Sequence, residues 1–107
     1  MPRYLYIFTY QTPDQWAAAG ATPGTPDESS RALFIKADNP EQALTWGSEI
    51  AEAFVKCLFT DSTISWQRLN YDHWLEAQPE QEYPKDILAA LPEVNYGQLP
   101  DLGSLKA

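Results

Sequence analysis

The chain has 107 residues, with 15 acidic against 7 basic side chains and a formal net charge of −8. That length sets a single domain, 1–107, whose core needs no disulfide or metal staple, and 44% apolar with 13% aromatic content sets a globular chain. The basic residues are few and scattered (Arg3, Arg31, Lys36, Lys56, Arg68, Lys85, Lys106), so the phosphate contacts that nucleic acid or an anionic membrane surface requires are missing, and charge favours a basic protein as partner.

Tyr4-Leu-Tyr-Ile-Phe-Thr-Tyr10 predicts a strand, rich in β-branched and aromatic residues. Leu5, Ile7 and Thr9 point one way, and Tyr4, Tyr6, Phe8 and Tyr10 the other. A strand apolar on both faces belongs in the middle of a sheet. The run is too short and too tyrosine-rich for a secretion signal, and Asp14 interrupts the approach to Ala17-Ala-Ala19. Thr12-Pro13-Asp14-Gln15 offers an N-cap, proline at the first helical position and Gln at N3, which predicts a short helix over 13–19. The Pro- and Gly-bearing stretch 20–30 reads as a mobile loop.

A second strand follows at 31–37. Asn39 then caps a long helix, with Pro40 at N1 and Glu41 and Gln42 in the first turn. Ala43, Gly47, Ile50, Phe54 and Leu58 form its inward stripe, flanked by Ala51 and Val55. Glu52 and Lys56 stand as an i,i+4 pair. Cys57, the single cysteine, sits among Phe54, Val55 and Leu58, which predicts a buried thiol. One cysteine excludes an intrachain disulfide, which fits a reducing compartment without requiring one, and with no spanning run the expected location is cytoplasmic. Alternation over 63–69 predicts a third strand, 72–77 a helical turn and a half, and 84–91 a further short helix. Residues 95–107 read as an extended tail that Leu99, Leu102 and Leu105 pin to the body, with a fourth strand near Val94–Leu99.

A strand–helix–strand unit within one sheet crosses over right-handed with its strands parallel. The doubly apolar first strand fits between them, antiparallel to both, in the order 2-1-3. The expected fold is α+β: a small split β-α-β sandwich of three or four strands with the long helix on one face, short C-terminal helices and an extended tail. It resembles ferredoxin-like α+β domains, a likeness of fold that hosts many functions.

Three sets of residues are candidates for function. His73, the lone histidine, stands beside Asp72 and three residues before Glu76, close enough on a helix for proton transfer. One helical turn cannot surround a metal, and neither a metal nor a cofactor is expected. Tyr4, Tyr6, Phe8 and Tyr10 make an aromatic face that, if exposed, would be a binding surface or the interface of a homodimer. Glu80, Glu82 and Asp86 belong to an acidic C-terminal part suited to a basic protein partner. The sequence therefore points to a small acidic, non-catalytic protein-binding domain, such as an inhibitor or immunity-type partner. The alternative is a homodimeric enzyme or small-ligand binder using a cavity between helix and sheet.

Overall fold

A computed structural model describes residues 2–19, 28–69 and 71–106. The elements are β1 (Arg3–Tyr10), α1 (Pro13–Ala19), β2 (Ser29–Lys36), α2 (Pro40–Phe59), a 3-10 turn (Gln67–Leu69), β3 (His73–Glu76), α3 (Pro79–Glu82), α4 (Lys85–Ala90), β4 (Glu93–Asn95) and α5 (Leu102–Lys106). The four strands make one mixed sheet in the order β3-β1-β2-β4. β1 pairs antiparallel with β2 and β3, and β4 runs parallel along β2. Among the described residues no helix is long and apolar enough to cross a membrane.

Local chemistry explains the two best-defined helix starts. At α1, the Thr12 hydroxyl accepts from Gln15 N at 3.2 Å while Gln15 Oε1 accepts from Thr12 N at 2.8 Å, a reciprocal capping box. At α2, Asn39 accepts from Gln42 N at 2.9 Å, and Pro40 occupies the first turn. The helix ends at Thr60, in the left-handed conformation at φ 52°, whose N–H returns to carbonyls of the last turn.

The face that α2 buries carries Ala43, Gly47, Ile50, Ala51, Phe54 and Val55, with Leu58 half-buried beside them. It lies on the aromatic face of β1. A Cβ at position 47 would stand 2.4 Å from Tyr6 Cε1, so the ring occupies the space where the helix has no side chain. Phe54 meets Tyr10 edge-on at 5.0 Å and Phe8 at 5.7 Å between ring centroids. The opposite sheet face carries Leu5, Ile7 and Phe34, covered by Tyr83, Leu88 and Leu91 from the α3–α4 segment. The layers are thus α2, sheet, and a thin α3–α4 cover.

Several expectations need correcting. Residues 63–69 are not a strand. Asp61 accepts from both the N–H and the hydroxyl of Thr63, and Glu52 accepts from Ser65 Oγ at 3.0 Å and Trp66 N at 2.6 Å. These bonds hold 61–66 as a loop that leads into the 3-10 turn. The Glu52 carboxylate is therefore engaged by this loop; among the described residues the ion pairs are Arg3–Glu93 and Lys36–Glu93, not Glu52–Lys56. The stretch 72–77 holds β3 rather than a helical turn, because pairing with β1 outweighs local preference. The sheet order accordingly differs from the expected 2-1-3: 63–69 takes no place in the sheet, β1 is flanked by β2 and by His73–Glu76, and β4 extends the far edge beside β2. The tail is not extended throughout, since its last part forms α5, with Leu105 buried and its carbonyl accepting from Arg31 Nε at 2.6 Å. Cys57 is exposed, lying one residue off the inward stripe. The loop expected over 20–30 falls largely on residues 20–27, outside the described residues; Ser29 and Ser30 belong to β2.

Phe54→Ala should cost about 3–5 kcal/mol, because it removes the ring that contacts both Phe8 and Tyr10. Cys57→Ala should change stability by less than about 0.5 kcal/mol. Urea denaturation of the two variants checks the assignment of the helix faces.

Candidate functional site

The aromatic candidates do not form a surface. Tyr6, Phe8 and Tyr10 are sealed beneath α2, and Tyr4 is half-buried at the edge of the same cluster. Phe34, on the other face of the sheet, belongs to the second core cluster. The helix covers this face, and Trp74 lies on the opposite one, across from Ile7. A homodimer through exposed Tyr6 and Phe8 loses that basis.

His73 comes to lie next to the core rather than within a helical acid cluster. Its Nδ1 is 2.8 Å from the Tyr6 hydroxyl, and its ring meets those of Tyr6 and Trp66 edge-on, each at 5.5 Å. Burial pushes the Tyr6 phenol far above the ordinary tyrosine range, so Tyr6 keeps its proton and donates it. Nδ1 then accepts, and the neutral ring carries its hydrogen on Nε2. Protonating His73 would turn Nδ1 into a donor and force the buried hydroxyl to accept instead. Desolvation holds the imidazole below its ordinary value of 6.5, against the opposing pull of the Asp72 carboxylate. With Nδ1 committed to Tyr6, this group is better placed to lock β3 onto β1 than to move a substrate's protons.

The acidic candidates lie on the α3–α4 cover. Glu80, Glu82 and Asp86 are exposed and take part in no ion pair among the described residues. Glu93 differs: it binds Arg3 at 3.0 Å and Lys36 at 3.3 Å, and the Arg3 hydrogen bond leads in holding its carboxyl below the usual range. Among the described residues four large apolar side chains are exposed, all in the C-terminal part of the chain: Trp74 at 40%, Ile87 at 47%, Tyr96 at 48% and Leu99 at 51%, so Leu99 does not pin the tail to the body. Sequence reasoning missed the exposure of Trp74, because it depends on β3 being the last strand of the sheet.

A second feature has no counterpart in the sequence reading. Trp16 of α1 meets Phe59 edge-on at 5.6 Å, and with Ile64 and Leu69 they line a groove of about 400 Å³, rimmed by Asp61, Thr63, Ser65 and Arg68. Asp61 is already held by Thr63, which keeps its carboxyl low. Three separate parts of the chain build this groove, so no local pattern announces it. Among the described residues no group of three or more His, Cys, Asp or Glu could hold a metal ion. No protein-family model, curated protein or solved structure matches this chain.

The His73 shift gives a pH dependence with a definite sign. The folded-state value lies below the ordinary one, so the unfolded chain takes up the proton first. The contribution is complete above pH 6.5 and is lost as pH falls through the depressed folded value. Relative to His73→Gln, the natural chain should therefore lose stability as pH falls below 6.5. Parallel stability curves for the two proteins between pH 7 and pH 5, roughly the range around an ordinary histidine, would show that the Tyr6 bond does not depend on the neutral ring.

Proposed function

We propose that this chain is a non-catalytic protein-binding domain that engages a basic partner through the exposed carboxylates of its α3–α4 cover, in the manner of an inhibitor or immunity-type protein. One observation carries this reading: Glu80, Glu82 and Asp86 stand exposed and unpaired among the described residues. Their partnerless charge raises the local potential that a cationic surface meets first. The net charge of −8 acts in the same direction and against nucleic acid. Exposed Trp74 and Ile87 supply the apolar area that a stable complex requires beyond charge.

The competing reading, an enzyme or small-ligand binder with its site between helix and sheet, has less support. That space is filled by Tyr6 against Gly47 and by Phe54 against Phe8 and Tyr10. Its acid–base candidate, His73, is committed to Tyr6.

Surface charge acts on the encounter step, and buried contacts set the off-rate. Association with a folded basic protein should therefore slow by about tenfold between low and physiological salt. Glu80→Gln, Glu82→Gln and Asp86→Asn together should slow it by a similar factor with little change in dissociation. Stopped-flow association rates check both. Rates independent of salt and unchanged in the triple variant would reduce the acidic cover to a solubility feature.

A further inference from the structure

We propose that the outer edge of β3 is a strand-addition site that takes an extended peptide segment bearing Lys or Arg at alternate positions. The proposal rests on the reading of the chain as the binder of a basic partner, and it names how the partner is held.

β3 is the last strand of the sheet. Where it meets β1, Thr9 N donates to Asp72 O at 2.9 Å. Hydrogen-bonded and non-bonded pairs alternate along an antiparallel ladder. Asp72, Trp74 and Glu76 therefore direct their backbone groups at β1, and His73 and Leu75 direct theirs outward. Among the described residues nothing pairs with those outward N–H and C=O groups. A strand laid beside β3 would satisfy them, which is how extended peptides bind sheet edges.

Side chains choose the occupant. Asp72, Trp74 and Glu76 alternate with His73 and Leu75, so they line one face of this edge. The result is a stripe of carboxylate, exposed indole and carboxylate. An added strand sets every second side chain on that same face, where a Lys or Arg meets an opposite charge or the face of Trp74. Glu80 and Glu82 continue the acidity beyond the strand, and no Lys or Arg interrupts it between Leu69 and Pro84. A second copy of this chain fits less well. Symmetric antiparallel pairing centred on Trp74 would set Asp72 against the copy's Glu76, two like charges in contact.

The test uses a short peptide in which lysine alternates with threonine, and reads amide hydrogen exchange by NMR. At saturation the His73 and Leu75 amides should exchange at least about tenfold more slowly, whereas those of Trp74 and Glu76, already bonded to β1, should not change. Methylating the alternate peptide nitrogens that face β3 should weaken binding at least about tenfold without altering the protein. Leu75→Pro should do the same, because it removes an outward N–H and leaves the β1 ladder intact. Asp72→Asn with Glu76→Gln should weaken binding and flatten its salt dependence. Binding that leaves His73 and Leu75 exchange unchanged overturns strand addition. If such binding is still abolished by the Glu80, Glu82 and Asp86 substitutions, the acidic-partner reading survives alone. Failure to bind the peptide, with a folded basic protein still bound through those three carboxylates, has the same meaning; failure to bind either removes both. Protection of His73 and Leu75 that rises with protein concentration and needs no peptide assigns the edge to a second copy and overturns the proposal.

Discussion

The ring of Tyr6 lies where α2 has only a hydrogen, at Gly47, and the rest of the layering follows from that contact. Glycine in mid-helix costs about 1 kcal/mol of propensity against alanine. Here it lets the helix backbone settle onto an aromatic strand that a side chain would hold away. With Tyr6 under the helix, a period of two commits Phe8 and Tyr10 to the same side and Leu5 and Ile7 to the other. That second face is apolar in its turn, so it requires the cover that Tyr83, Leu88 and Leu91 provide. The Tyr6 hydroxyl then reaches past the core to His73 and ties the edge strand to the centre. One close approach thus fixes the helix, the facing of β1 and the seat of β3.

How much of this the sequence disclosed depended on whether the signal was local. The start of α2 was legible because Asn39, Pro40 and Gln42 act within one turn, and the inward stripe was legible because burial follows the helical period. The capping box at Thr12 and Gln15 was legible for the same reason. The region after α2 was not. Ile64, Trp66 and Arg68 alternate with Ser65, Gln67 and Leu69 as a strand would, but Glu52 and Asp61 capture that backbone from outside the segment. Conversely, β3 spans only His73–Glu76, too short for alternation to register, and exists because β1 offers it a ladder.

The candidate site divides along the same line. The acidity of the C-terminal part is a matter of composition and could be read directly. Whether Tyr6, Phe8 and Tyr10 faced solvent could not, because their fate depended on which side of β1 the helix chose. The edge position of Trp74 depended on strand order, and the groove between Trp16 and Phe59 on the docking of α1. The aromatic residues that looked like a surface are the core, and the polar residues left outside it carry the functional proposal.

A double-mutant cycle between Gly47 and Tyr6 tests the central contact most directly. Gly47→Ala should destabilise the natural chain by about 1–3 kcal/mol, because the added methyl meets a buried ring. In the Tyr6→Leu background the same change should be neutral or stabilising by up to about 1 kcal/mol, the intrinsic helical advantage of alanine. The two positions should therefore couple by more than about 1 kcal/mol. Equal effects of Gly47→Ala in both backgrounds, measured by chemical denaturation, would contradict the docking of α2 on which the account rests.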